Sequence, residues 1–167
     1  LMRSAGKLAD TLKLALEENG FPVYLASKTG YFETMEIRVL LNYLRVIDNP
    51  RQDLPLYGTL TSYFGGFTEE ELAMIRSTDQ KNCLYDVIRN DRTASAISKK
   101  MVCFLEKLER YRKLAVYTSI RDLISMIITE SGYLNYMTAF PGGSKRLANL
   151  QMLLEKAGAF EQTSYHG

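Results

Sequence analysis

Carboxylates offer the most obvious chemistry in this chain. Glu69, Glu70 and Glu71 run consecutively and Glu33 and Glu36 stand three residues apart, a pattern that lets acidic groups share a proton or a divalent metal. Both groups open segments of helical periodicity, where the positive end of the helix dipole favours acids for structural reasons alone. Other metal-ligating types are sparse: Cys83 and Cys103 lie 20 residues apart, and the sole histidine is His166. A structural zinc site needs about four such ligands, so no metal site is expected and the cysteines read as packing residues. No G-x-x-x-x-G-K-[ST] run is present to cradle a nucleotide's phosphates. No catalytic set is therefore expected within these residues.

Two features suit a phosphate instead. Residues 92–121 carry a local charge of +6 in a chain of net +2, which leaves −4 elsewhere. At about 100° per residue, Arg92, Lys99, Arg110 and Lys113 form one stripe, opposite Ile97, Met101 and Leu108 and interrupted by Glu106. Such a row is either a solvated helix face or a surface that tracks a phosphate backbone. The second feature is Gly65-Gly66-Phe67-Thr68, two glycines just before a helix start, where free amides and the dipole can receive a phosphate. It fits equally a plain turn between helices, and Glu69 to Glu71 would repel an anion.

The elements that must position these groups are mostly helical. With 167 residues, 46% hydrophobic and 24% charged, the chain suits one folded domain with at most a small appendage. No apolar run approaches the ~20 residues that span a bilayer, so no membrane partner and a cytoplasmic location are expected. Leu1-Met2 leads straight into a polar turn, which reads as a piece of something longer. Leu8, Leu12, Ala15 and Leu16 make one helical face over about residues 5–19, stopped by Gly20, and residues 21–25 read as a brief strand.

From Phe32 onward the periodicity stays helical. A helix apolar on two faces runs to Asn49-Pro50, followed by short helices over 54–64, 68–75 and 83–88 and a long one over 93–114. Another begins at Ile120, and a last one near Gly143 turns Leu147, Leu150, Leu154 and Ala157 inward. Thr68-x-x-Glu71 predicts a capping box and Ser119-x-x-Asp122 an N-cap. The expected fold is mainly α, an irregular helical bundle with a small βα piece at its N-terminus.

Gly30-Tyr31-Phe32-Glu33-Thr34-Met35-Glu36-Ile37-Arg38, with the run from Leu44 through Asp48-Asn49-Pro50-Arg51-Gln52-Asp53 to Leu56, resembles the AddA-type component of the bacterial ATP-dependent helicase-nuclease. That component sits within the UvrD-like superfamily 1 DNA helicases. Leu1-Met2-Arg3-Ser4, Gly20-Phe21-Pro22-Val23-Tyr24, the run from Gly66 to Leu72, and Pro141-Gly142-Gly143 with Arg146-Leu147-Ala148-Asn149-Leu150 are similar to it in order and spacing. The resemblance covers nearly the whole chain and is weakest over residues 78–118.

What the resemblance implies is a motor that unwinds DNA with ATP and Mg, joined to a nuclease, in double-strand break repair and recombination. Residues 1–30 would be a partial RecA-like motor segment and 31–167 a helical, 2B-like accessory insertion, with no cofactor of its own and no activity alone. DNA and the second subunit of the helicase-nuclease would be its partners. Arg3 and Ser4 match a strand-end turn that contacts single-stranded DNA in related helicases. Gly65-Gly66-Phe67-Thr68 occupies the place of a Gly-Ile-Gly turn that approaches duplex phosphates, here without that turn's arginine. The expected DNA-binding set is thus Arg3, Ser4, Gly65, Gly66, Phe67, Thr68, Arg92, Lys99, Arg110 and Lys113. The alternative is an all-helical protein interaction module with no DNA role, motivated by the modest net charge and the acidic run.

Overall fold

A computed structural model of the protein describes residues 15–16, 19–21, 30–90 and 95–163. The chain divides into two compact units, Leu1–Gly30 and Tyr31–Gly167. In the first, Ala15 and Leu16 are helical, and the Phe21 N–H donates to the Leu16 carbonyl at 3.0 Å while Gly20 takes φ +78°. That left-handed glycine is the helix stop expected there. All but Phe21 of the strand expected over 21–25 and most of the 5–19 helix fall outside the described residues, as do Arg3, Ser4 and Arg92. No strand occurs among the described residues.

The second unit is built of helices. A 3-10 turn, Tyr31–Glu33, leads into α1 (Met35–Asp48), then α2 (Asp53–Leu60), α3 (Glu69–Thr78), α4 (Leu84–Asn90), α5 (Ala96–Ala115), α6 (Ile120–Glu130), α7 (Tyr133–Thr138) and α8 (Gly143–Thr163). Helix α1 is the centrepiece and packs against α2, α5 and α8, which explains its two apolar faces. Its Ile37, Leu40 and Val46 are fully buried, beside Leu56, Leu60, Leu108, Ile127 and Tyr133 from four other helices and Leu150 from α8. Each such side chain contributes about 1.5–3 kcal/mol of burial, so one contiguous core holds the unit together.

Local chemistry sets the boundaries. The Thr68 hydroxyl accepts from the Glu71 N–H and the Glu71 carboxylate from the Thr68 N–H, the reciprocal cap the sequence predicts for α3. Ser95 and Ser119 accept from Ser98 and Asp122 and start α5 and α6, so α5 begins at Ala96, later than the periodicity implied. Helix α2 ends at Leu60 rather than near 64, because the chain doubles back there: the Phe67 N–H donates to the Leu60 carbonyl at 2.9 Å. A Cβ on Gly65 would collide with the Leu60 backbone, so only glycine passes this crossing. Six-residue α7, opened by Gly132 at φ +72°, is too short for periodicity to reveal.

Distant polar contacts fix the arrangement. Asp53 caps α4 across 31 positions by accepting the Leu84 N–H at 2.9 Å, and it lies 3.6 Å from Arg76, while Arg51 pairs with Asp86 at 3.2 Å. The Arg112 Nε donates to the Ile47 carbonyl at 3.1 Å, satisfying the last turn of α1. Glu36 is no exposed helix-start acid. Only 4% accessible, its carboxylate accepts from Asn149 Nδ2 at 2.6 Å and Arg146 Nη1 at 3.2 Å, and the Tyr31 hydroxyl donates to the Asn149 carbonyl at 2.7 Å. The stretches around 30–38 and 146–150 therefore meet, tying α1 to α8. Burial pushes the Glu36 carboxyl up, but hydrogen bonds from Asn149, the backbone and Thr34, with the Arg146 charge, outweigh it and leave the group below its ordinary value.

Candidate nucleic-acid interface

Helix α5 presents the basic stripe. Ser98, Met101, Phe104, Leu108 and Tyr111 are buried, and the opposite face exposes Lys99, Val102, Cys103, Glu106, Arg110 and Lys113. Lys99 and Lys113 make no ion pair among the described residues, so their ammonium groups are available to an anion. Arg110 differs. Its guanidinium is held fork to fork by Glu130 at the end of α6, at 2.8 and 2.9 Å, and the Tyr111 hydroxyl donates to the same carboxylate at 3.1 Å. These bonds hold the Glu130 carboxyl below its ordinary value, chiefly through Arg110. A phosphate reaching Arg110 must compete with that pair.

The Gly65–Thr68 turn is spent internally. Its Gly66, Phe67 and Thr68 amides donate to the Ser62 carbonyl at 2.7 Å, the Leu60 carbonyl at 2.9 Å and the Glu71 carboxylate at 2.8 Å. The expected row of free amides is thus not there, because the doubling-back of the chain and the capping box use them. Phe67 is buried at 4% accessibility. What the turn does carry is Lys100, whose Nζ sits 4.6 Å from the centroid of the Phe67 ring and 2.7 Å from the Glu71 carboxylate. That ammonium and the Thr68 amide hold Glu71 below its ordinary value. The structure therefore brings the turn and α5 together, through Lys100 and not through the stripe itself.

Lys100 and Lys107 stand about 80–100° around α5 from Lys99, on the side that turns toward the core. There Lys107 reaches a cleft of about 380 Å³ lined by Tyr43, Tyr63, Phe64, Arg110, Tyr111, Glu130 and Ser131. The rings are packed in series: Tyr43 stacks on Phe64 at 4.4 Å, and Tyr63 on Tyr136 at 4.3 Å. Sequence reading did not single out Lys107, Tyr63 or Glu130. Lys107 lies within the basic run and Tyr63-Phe64 is visibly aromatic, but their meeting depends on the turn after α2, which periodicity does not show. Among the described residues no group of three or more His, Cys, Asp or Glu is placed to hold a metal ion. No helix among them is long and apolar enough to cross a membrane.

The sequence matches the UvrD-like helicase C-terminal domain over residues 1–164. It is 41% identical over 171 aligned residues to the AddA component of the ATP-dependent helicase/nuclease of Oceanobacillus iheyensis. Over 169 residues it is 39% identical to the protein of that name from Alkaliphilus oremlandii and 37% to the one from Acetivibrio thermocellus. All of the chain is covered each time, and it spans 14% of the length of each of these relatives. Identity at that level along the whole chain, together with the near end-to-end domain match, means that this chain belongs to the UvrD-like helicase C-terminal domain family.

Proposed function

We propose that the chain is a DNA-contacting accessory region of an ATP-dependent helicase/nuclease that acts in double-strand break repair and recombination. The observation that carries this reading is its 35–41% identity, over its whole length, to AddA components of ATP-dependent helicase/nucleases. In this reading residues 1–30 belong to a RecA-like motor segment, with Arg3 and Ser4 toward single-stranded DNA, and residues 31–167 form the helical insertion. ATP and Mg act elsewhere in the whole protein, a second subunit completes the cytoplasmic enzyme, and the chain alone neither hydrolyses ATP nor cuts DNA.

The insertion's part is to hold a phosphate backbone without reading bases, through Lys99 and Lys113 with Arg92 and Arg110 in the same row. Binding to a forked DNA junction, followed by fluorescence anisotropy across a salt series, tests this. If each lysine neutralises one phosphate, Lys99→Gln with Lys113→Gln lowers the salt slope by about 0.9 per residue. A double variant that binds with unchanged affinity and slope leaves the stripe a solvated face.

One observation favours the second reading, an interaction module without a DNA role. Val116 and Tyr117 in the α5–α6 connection and Ile120 at the start of α6 are all exposed, Tyr117 at 92%. Apolar groups grouped this way suit a protein partner. The same anisotropy experiment separates the two readings, because a pure interaction module shows no salt-dependent DNA binding.

A further inference from the structure

The cleft beside Arg110 combines an aromatic wall, in which the Tyr63 and Phe64 rings meet at 73°, with a cation at its mouth. Tyr63 is 38% accessible and is the part of the aromatic wall open to a ligand, whereas Phe64 packs against Tyr43 at 4.4 Å and Tyr133 at 4.8 Å. Lys107 is exposed and makes no ion pair among the described residues, whereas Arg110 is matched by Glu130. One uncompensated positive charge therefore stands beside stacked rings. A volume of about 380 Å³ lies at the small end of the roughly 300–1,000 Å³ usual for ligand pockets, enough for one nucleotide and too little for a run of them. In a duplex the faces of the bases are covered by their neighbours, so an aromatic wall of this kind meets a base only in a single strand or an extruded position.

We propose that this cleft seats one unstacked nucleotide of single-stranded DNA, its base against the Tyr63 ring and its phosphate on Lys107. The assignment rests on the DNA-contacting reading above and gives it a location that the outer stripe lacks. Two hydroxyls that could read a base edge are already committed, Tyr63 to the Ser131 carbonyl at 2.6 Å and Tyr111 to Glu130. The seat accordingly takes any base by its face. Recognition by stacking plus one phosphate contact is tolerant of sequence and sensitive to salt.

The test compares a fluorescein-labelled dT oligonucleotide with a strand of the same length made of abasic units. The unmodified protein should bind the base-bearing strand about tenfold more tightly, the scale of one base–aromatic stack, and should bind dA and dT strands alike. Tyr63→Leu keeps bulk against Tyr136 and removes the ring, and should abolish the preference over the abasic strand, while Tyr63→Phe retains it. Lys107→Gln should weaken both strands and lower the salt slope by about 0.7. Thermal unfolding of each variant identifies any that fails to fold, and Tyr63→Phe then carries the comparison with the unmodified protein.

Equal affinity of the unmodified protein for base-bearing and abasic strands overturns the proposal while leaving the stripe reading intact. So does a Tyr63→Leu variant that keeps the preference. Displacement of the oligonucleotide by an acidic phenylalanine-containing peptide at lower concentration would assign the cleft to a protein partner instead. Absence of binding to any DNA, single-stranded or forked, overturns this proposal and the accessory DNA role together.

Discussion

Glu130 governs how much of the charge on α5 an anion can use. Its carboxylate occupies both prongs of Arg110 and takes the Tyr111 hydroxyl as well. Burial, aided by Glu130, pushes the Tyr111 hydroxyl up to about 12, so it stays a donor throughout the neutral range. Glu130→Gln removes the negative charge and leaves Arg110 able to meet a phosphate. The expected outcome is tighter binding to forked DNA and a salt slope steeper by about 0.9, read by anisotropy. An unchanged slope would mean that Arg110 stays out of reach of the backbone even when released.

A second residue-scale expectation concerns Glu36, whose folded pKa lies below its ordinary value. Its contribution to stability is fully present above the unfolded carboxylate value of about 4.3, and is lost as pH falls through the lowered folded value. Glu36→Gln leaves Arg146 without its charged partner and should destabilise by about 1.5–3 kcal/mol at pH 7. In urea unfolding, the gap between this variant and the unmodified protein should narrow as pH falls through the lowered folded value, where Glu36 itself becomes neutral. A gap independent of pH would place the effect in packing rather than charge.

At the scale of elements, two junctions carry more than their length suggests. Gly65 crosses the Leu60 backbone with no room for a Cβ, so Gly65→Ala must open the turn that seats Phe67. Phe67→Ala, which empties a buried site, should cost about 3–5 kcal/mol by thermal unfolding. Asp53→Ala should loosen α4 specifically, since it removes both the acceptor for the Leu84 amide and the partner of Arg76. Hydrogen exchange at the first turn of α4 should rise while α1 stays protected. Exchange that rises equally in both helices would show that Asp53 supports the core as a whole.

The same elements show what sequence reveals and what it hides. Caps are local chemistry: Thr68 with Glu71, and Ser119 with Asp122, act within one turn, so their spacing reads directly. The outer face of α5 is legible for the same reason, because a single helix settles which of Lys99, Arg110 and Lys113 share a side. The cleft is not. It depends on Tyr63 and Lys107 being folded together, and no periodicity relates positions 44 apart. Glu36 is hidden in the same way. Its dipole position is a local fact, but its partners Arg146 and Asn149 lie 110 and 113 positions away. The amides of Gly66 and Phe67, expected free, meet carbonyls supplied by the α2 end, a path no motif encodes.

At the scale of the whole molecule, the buried cluster of the described residues runs from Ile37 to Ala157, within the second unit. A chain begun at Gly30 should therefore keep a helical circular dichroism spectrum and a single cooperative melt. Loss of cooperativity would show that the first thirty residues complete the core. The tie between the stretches around Tyr31 and Asn149 has a topological side as well. Tyr31 bonds to Asn149, and Lys156 Nζ lies 5.8 Å from the Tyr31 ring. From there the end of α8 is seven residues on, about 10 Å at 1.5 Å per residue. The second unit is thus nearly a closed ring with a narrow gap, its incoming chain lying alongside its outgoing helix. Such a ring can be cut elsewhere, for instance between α5 and α6, and rejoined across the gap with a few residues, and it can be spliced into a loop of a host domain without prising that loop apart.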